Sequence, residues 1–140
     1  MHGYDPMAKK KRSSQLNGSE LHDAKASQVL KLRALGRALA SAGFVTVKQQ
    51  AEVLGLSRST AWTILRGSHK GSGLSAAVVN RILGQQLPLR VRLEVIDYVE
   101  QKAAGHYGHN RLARRKFVAQ LSIKQVDRAR LDRISQDQAA

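Results

Sequence analysis

The chain has 140 residues, of which 24 are lysine or arginine and 10 are aspartate or glutamate, so its formal net charge is +14. It has no cysteine, which excludes disulfides, thiol catalysis and Cys-ligated metal sites, and no apolar run approaches the roughly 18 residues of a membrane span. The basic N-terminus lacks the apolar stretch of a secretory signal, so the composition favours a cytoplasmic protein with a polyanionic partner, nucleic acid before an anionic membrane.

The N-terminal segment, residues 1–23, is polar and shows no hydrophobic periodicity. We therefore predict a disordered leader there. Its basic run, KKKR at residues 9–12, favours a solvated tail; a nuclear localisation signal and an arm that contacts phosphate are the alternatives.

The first periodic segment begins at residue 24. Its apolar residues recur at three- and four-residue steps, as on one face of a helix: Val29, Leu32, Leu35, Leu39 and Ala42. The spacing predicts a first helix over residues 25–42, and Gly43 follows as a stop signal.

A second, shorter helix is predicted over residues 47–54. Thr46 is placed to cap it, and Gln49 is placed to complete a capping box. Gly55 ends the helix after about two turns.

Two further short helices are predicted, each with a serine placed to cap it. Ser57 is placed to cap a third helix over residues 58–66. A Gly/Ser-rich loop over residues 67–74 leads to Ser75, which is placed to cap a fourth helix over residues 76–85.

Pro88 opens a fifth helix, because proline is favoured at a first helical position. Its apolar residues form one stripe: Leu89, Leu93, Ile96, Val99 and Ala103. We predict that this stripe exceeds what the helix needs for its own core and pairs two copies of the chain. The alternative is that all of it is intramolecular core.

The C-terminal part, residues 105–140, is interpreted as a basic extension. A Gly/His/basic connector over residues 105–116 precedes a helix over residues 117–134, whose apolar pattern is broken. No alternating run predicts a strand, so the predicted fold class is all-α, with a compact five-helix domain over residues 24–104.

The most informative segment is TVKQQAEVLGLSRSTAWTILRG, residues 46–67. Ala51 is expected at the helix crossing, where a larger side chain would push the helices apart, and Gly55 at a sharp turn with positive φ. Leu56 and Ile64 fill the wedge between the helices. The outward positions of the third helix are polar and carry no acid: Arg58, Ser59, Thr60, Thr63 and Arg66. Such a short helix is shaped to enter the DNA major groove.

This segment resembles the helix-turn-helix of the lambda-repressor-like superfamily, and LGLSRSTAWTIL is similar to recognition segments of phage repressors and lac-type repressors. The residues that carry the resemblance are Ala51, Gly55, Leu56, Ser57, Ala61 and Ile64. One helix before the motif and two after it match the five-helix phage-repressor arrangement over about residues 25–104. The sequence departs from the family pattern at Gln50, Ala61 and Trp62.

The resemblance implies which side chains meet DNA. The expected base contacts are Arg58, Ser59 and Thr63, of which Arg58 is best suited to bind guanine. Ser57 and Thr60 are expected as caps or phosphate contacts. The basic residues that flank the groove-facing helix are expected to contact the DNA backbone: Lys48, Arg66, His69 and Lys70.

Positive charge is concentrated in two blocks of the chain. Residues 24–74 carry eight basic residues and one acidic residue, and residues 107–140 carry eight and three. Further phosphate contacts are therefore expected from a C-terminal basic run: Arg111, Arg114, Arg115 and Lys116. A solvated face is the alternative interpretation of the surplus charge.

Two features allow more than one interpretation. Trp62 is expected to pack against the fourth helix, to lie along DNA, or to belong to a protein interface. His106 and His109 flank Tyr107 at a spacing compatible with metal ligands, but no carboxylate or third histidine is near, so a plain connector is favoured and no metal site is expected. Since no phosphate-binding loop or nucleophile motif is present, neither a cofactor nor an enzymatic activity is expected.

The sequence thus predicts sequence-specific binding of double-stranded DNA by a small bacterial or phage-type transcriptional regulator, a homodimer associated with the nucleoid. No domain that senses a small-molecule effector is expected. The alternatives are a nonspecific architectural DNA-binding protein, an antitoxin- or adaptor-type interaction module that keeps the helix-turn-helix, and, third, an RNA-binding protein.

Overall fold

The computed structural model describes residues 18–66, 73–122 and 125–137, and it contains seven helices and no strand within those ranges. The helices are α1 (Gly18–Ser41), α2 (Val47–Leu54), α3 (Arg58–Leu65), α4 (Ala76–Leu83), α5 (Leu89–Ala103), α6 (Arg111–Ala119) and α7 (Gln125–Asp137). The predicted all-α class is confirmed over this part of the chain.

The first helix is longer than predicted, because α1 already begins at Gly18. The predicted disordered leader is therefore wrong for residues 18–23, while residues 1–17, with their basic run, lie outside the described residues. The buried face of α1 starts with Ala24 and the polar Gln28. Residues 18–23, which begin the helix, are exposed or half-buried, so no apolar periodicity marks them and the sequence pattern understated the length of the helix.

The short helices have the predicted caps. The hydroxyl of Thr46 accepts the backbone N–H of Gln49 at 3.1 Å, and the side chain of Gln49 accepts the N–H of Thr46 at 3.1 Å, which completes the capping box. The hydroxyls of Ser57 and Ser75 cap α3 and α4, since they accept the backbone N–H groups of Thr60 and Val78, each at 3.2 Å. The predicted bounds of α2 are confirmed, and α3 and α4 each end slightly earlier than predicted.

Two helices, not one, follow α5. The predicted connector over residues 105–116 and the predicted helix over residues 117–134 are therefore wrong. Asn110 caps α6, and its side-chain oxygen accepts an N–H of the first helical turn at 2.8 Å. The apolar pattern concealed α6 because its buried face combines Phe117 with a buried arginine, Arg114.

The fifth helix lies at the centre of the fold, in contact with α1, α4, α6 and α7. Its buried residues are Val91, Val95, Tyr98, Val99, Lys102 and Ala103. The predicted stripe is only partly interior, because Leu89, Leu93 and Ile96 are exposed by 70%, 55% and 38%. One buried cluster includes Leu32 of α1 and Leu131 of α7, so the C-terminal helices pack on the same core as the first helix.

A hydrogen-bonded polar cluster lies inside this apolar core. The hydroxyl of Tyr98 donates to Oε1 of Gln28 at 2.6 Å and accepts the backbone N–H of Leu74 at 2.8 Å. The ammonium group of Lys102 donates to the carbonyl oxygen of Leu74 at 2.6 Å. Gly73 permits this close approach, since its φ is +67° and a Cβ there would collide with Gln28 and Tyr98. The cluster fixes the chain before α4 against α1 and α5.

Candidate nucleic-acid interface

The helices α2 and α3 form a closely packed pair joined by residues 55–57. Gly55 has a positive φ of 72°, and its N–H bonds to carbonyls of α2. Ala51 is only 2% exposed, and Leu56 is half-buried. The turn is therefore short and anchored at both sides, which holds the two helices in one relative orientation.

The inner face of α3 is fully packed. Ala61 and Ile64 are 0% and 1% exposed. Gln50 of α2 is half-buried, and its Nε2 donates to the carbonyl oxygen of Phe44 at 2.8 Å. This hydrogen bond satisfies a polar side chain that is partly removed from solvent.

The outer face of α3 is open. Arg58 and Ser59 are exposed, and Arg58 forms no ion pair with any residue that the structure describes. Thr63 is half-buried, and its hydroxyl donates to the carbonyl oxygen of Ser59 at 2.9 Å. Arg58 is thus free to meet a partner. The hydroxyl of Ser59 lies 3.5 Å from that of Ser57, and the hydroxyl of Thr63 already has a bond within the helix.

The residues that were expected to contact the DNA backbone around α3 differ in their exposure and hydrogen bonding. The hydroxyl of Ser57 accepts the N–H of Thr60 at 3.2 Å and donates to the Thr60 hydroxyl at 2.8 Å, so both residues act in the cap. Lys48 is exposed in the first turn of α2. His69 and Lys70 lie outside the described residues.

Trp62 is not a core residue. Its side chain is 46% exposed, and the guanidinium carbon of Arg66 lies 3.7 Å from the centre of the indole ring. The expected packing of Trp62 against the fourth helix is therefore wrong. The indole instead forms a cation–π contact with an exposed arginine one turn further along α3.

A cleft of about 410 Å³ lies beside Trp62, between α1, α3 and the start of α2. Its lining includes Arg33 and Arg37 of α1 together with Trp62 and Arg66. Arg33 Nη2 lies 3.5 Å from the backbone oxygen of Arg66. The sequence placed these two α1 arginines on a helix surface, but no local signal shows that this surface turns toward α3.

The residues of the C-terminal basic run all lie on α6, but they differ in exposure. Arg111, Arg115 and Lys116 are exposed, whereas Arg114 is only 3% exposed and packs against Gly105. Burial lowers the pKa of Arg114, and the charge of Arg111 lowers it further. The expected phosphate contact of Arg114 is therefore wrong, because its side chain is enclosed by the fold.

The acidic residues of α5 are paired within the protein. Lys31 donates to Glu94 at 2.6 Å and also pairs with Asp97, while Arg130 pairs with Glu100. Burial lowers the pKa of Lys31, but its hydrogen bonds to the two carboxylates outweigh burial and raise it. Since these carboxylates are occupied, they do not offset the charge of the arginines around α3.

In the segment that holds His106 and His109, the residue that packs in the core is Tyr107. Tyr107 is 1% exposed and stacks on Tyr98 with a ring separation of 5.2 Å, whereas His106 is exposed and His109 half-buried. In the described part of the chain, no group of three His, Cys, Asp or Glu side chains is placed to hold a metal ion.

Over the same residues, no helix combines the length and the apolar character needed to cross a membrane.

No protein-family model, curated protein or solved structure matches this chain.

Proposed function

We propose that this protein binds double-stranded DNA and reads its sequence through the outer face of α3. The observation that carries the proposal is the pair α2–α3: a short, capped helix is held by a tight turn and presents Arg58 and Ser59 without any acidic neighbour on that helix. An α-helix with its side chains is about 10–12 Å across, so α3 fits the major groove, which is about 12 Å wide.

Arg58 is the main candidate for base readout. It is the first residue of α3, where the side chain of a groove-entering helix reaches base edges first. A guanidinium group can donate two hydrogen bonds to O6 and N7 of guanine. The positive end of the helix dipole and the absence of acidic residues in the first turn favour approach to phosphates.

We further propose that two copies of the chain bind together. One recognition helix contacts few base pairs, and regulators of this kind usually dimerise on half-sites about 34–36 Å apart. The surface that would pair the copies is the exposed side of α5, where Leu89, Leu93 and Ile96 leave the core and face outward. Neighbouring exposed apolar side chains on one helix face are a typical feature of protein interfaces.

The biological role that fits these properties is that of a small transcriptional regulator of repressor-like type, associated with a bacterial nucleoid. An architectural DNA-binding protein would share the positive charge but would not need an exposed, acid-free helix held in a fixed orientation. The two roles differ in sequence preference and can be separated by experiment.

The test is selection of bound duplexes from a random pool, followed by affinity measurements with the selected sequence and with a shuffled control of equal composition. We expect a preference of about 10³-fold or more for the selected site at physiological salt. Equal affinity for both duplexes would support the architectural role instead, and no binding to either would refute the proposal.

A further inference from the structure

The cleft beside Trp62 has the chemistry of an anion site. Three arginines from two helices border it, Arg33 and Arg37 from α1 and Arg66 from the end of α3. None of the three forms an ion pair with a described carboxylate, and no acidic residue lines the cleft. Three like charges around one opening repel each other, so a bound anion would lower their mutual repulsion.

Trp62 restricts the position of one of these charges. The Arg66 guanidinium lies against the indole at 3.7 Å, and its backbone oxygen lies 3.5 Å from Arg33 Nη2. An arginine held against an aromatic face loses less freedom when it binds an anion than an unrestrained one. Arg66 thereby connects Trp62 of α3 with Arg33 of α1.

The cleft adjoins the face that is proposed to read DNA. Arg58 and Trp62 of α3 and the C-cap residue Arg66, whose backbone is still right-handed helical, follow each other at four-residue intervals, so they lie on one side of the helix. A duplex whose major groove holds the start of α3 therefore carries its sugar–phosphate backbone toward the end of the same side. A continuous polyanion is the ligand that this placement favours over a small free anion.

We infer that the cleft formed by Arg33, Arg37, Trp62 and Arg66 is a second DNA contact, which binds phosphates of the strand that borders the groove occupied by α3. Trp62 is a positioning residue that orients Arg66, and Arg33 and Arg37 supply the remaining charge. The inference rests on the proposed DNA-binding function, and it adds α1 to the contact surface.

Trp62 is the only tryptophan of the chain, so its intrinsic fluorescence reports on the cleft directly. Binding of duplex DNA is followed by two signals in one titration: tryptophan emission for the cleft and anisotropy of end-labelled DNA for overall binding. We expect emission to change with the same midpoint as anisotropy. In addition, Trp62→Phe should keep most of the affinity, whereas Trp62→Leu should weaken binding, because phenylalanine retains an aromatic face for Arg66.

A pair of substitutions tests the arginines without disturbing the core. Arg33→Gln with Arg37→Gln should flatten the dependence of log affinity on log salt by about 0.9 for each phosphate that the variant no longer neutralises. The matched control is Lys25→Gln with Arg81→Gln, which removes the same charge from exposed positions outside the cleft. The control should weaken binding less and leave the salt slope unchanged.

The outcomes separate this inference from the proposed function. DNA binding by anisotropy with constant tryptophan emission, or with equal effects of the two double variants, would overturn the cleft contact and leave DNA binding standing. Absence of binding by the unaltered protein at about 100 μM, the weak limit of nonspecific association, would overturn both. If Trp62→Leu does not fold, the exposed arginine pair still decides the question.

Discussion

The ammonium group of Lys102 donates to the carbonyl oxygen of Leu74 at 2.6 Å, across 28 positions of the chain. The N–H of the same Leu74 bonds to the hydroxyl of Tyr98, so side chains of α5 satisfy both backbone groups of one fully buried residue. This relationship attaches the segment before α4 to the centre of the core. Since α5 also contacts α1 and α4, the segment is joined to the helix that lies at the centre of the fold.

The buried charge of Lys102 predicts an unusual pH dependence of stability. Burial lowers the pKa of Lys102 from 10.5 to about 8, so between these values the unfolded chain holds more protons than the folded one. Below about pH 8 the folded protein must bury a charged Lys102, so the cost in the free energy of unfolding is then at its maximum. As the pH rises, Lys102 loses its proton in the folded protein and this cost disappears. We expect the free energy of unfolding to increase by about 2 kcal/mol from pH 8 to pH 10, measured by urea denaturation.

The control for this effect is Lys102→Met, which removes the titrating group and should abolish the increase. Burial also raises the pKa values of Tyr98 and Tyr107, so the unfolded chain loses these protons first and stability should fall above about pH 10 in both proteins. Identical curves for the two proteins between pH 8 and pH 10 would contradict the assignment.

The hydroxyl of Tyr98 should contribute more to stability than that of Tyr107. Tyr98→Phe removes two buried hydrogen bonds, including the one that satisfies the N–H of Leu74, and we expect a loss of about 2 kcal/mol. Tyr107→Phe removes only the partly buried bond to Gln101 and should cost about 1 kcal/mol. The two free energies of unfolding check this order, which equal losses would disprove.

Gly55→Val should destabilise the fold by about 1–3 kcal/mol. The residue has a φ of +72°, and an added Cβ would lie 2.7 Å from Cδ of Gln85. Gly36→Ala is the matched control, because that glycine lies inside α1 and its added Cβ would meet only Leu65 at 3.9 Å. The control should be neutral or stabilising by up to about 1 kcal/mol, which is the difference in helix propensity between glycine and alanine. An unchanged melting temperature for Gly55→Val would show that the turn is not strained.

Specific and nonspecific contacts should respond differently to substitution. Arg58→Ala should cost about 1–3 kcal/mol on the preferred site and relax the preference at one or two base pairs. Neutralising the exposed residues Arg111, Arg115 and Lys116 of α6 should weaken all duplexes about equally and flatten the salt dependence. Binding to a panel of single-base variants distinguishes the two effects, and a uniform loss in both proteins would mean that only charge is recognised.

The exposed side of α5 predicts a dimer that a charge should disrupt. Leu93 is 55% exposed, and Leu93→Glu should shift the mass measured by light scattering from two copies to one. Leu112→Glu is the control, since Leu112 is 63% exposed but lies on α6. A monomeric mass for the unaltered protein at high concentration, with and without DNA, would count against the interface.

The sequence alone was sufficient for the short helices and their caps. Thr46, Ser57 and Ser75 sit three residues before the N–H groups that they accept, and the left-handed turn at Gly55 follows from the residue type. These features depend on neighbours within one helical turn, so a linear pattern contains all the information needed to predict them.

The C-terminal helices and the inner face of α5 could not be predicted in the same way. Arg114 and Lys102 are charged residues in buried positions, and a hydrophobic pattern counts them as surface. They are buried because residues far away in the chain enclose them and, for Lys102, because the carbonyl oxygen of Leu74 accepts a hydrogen bond from its ammonium group.

By itself the sequence determined the all-α class, the α2–turn–α3 pair and the excess of positive charge, since each is a local or summed property of the residues. Only the tertiary structure decided that Leu89, Leu93 and Ile96 face outward and that Trp62 stands exposed under Arg66 beside the α1 arginines. The physical reason is that a helix has several faces that can be buried. Which one turns inward depends on the total packing and hydrogen bonding of helices that are distant in the chain.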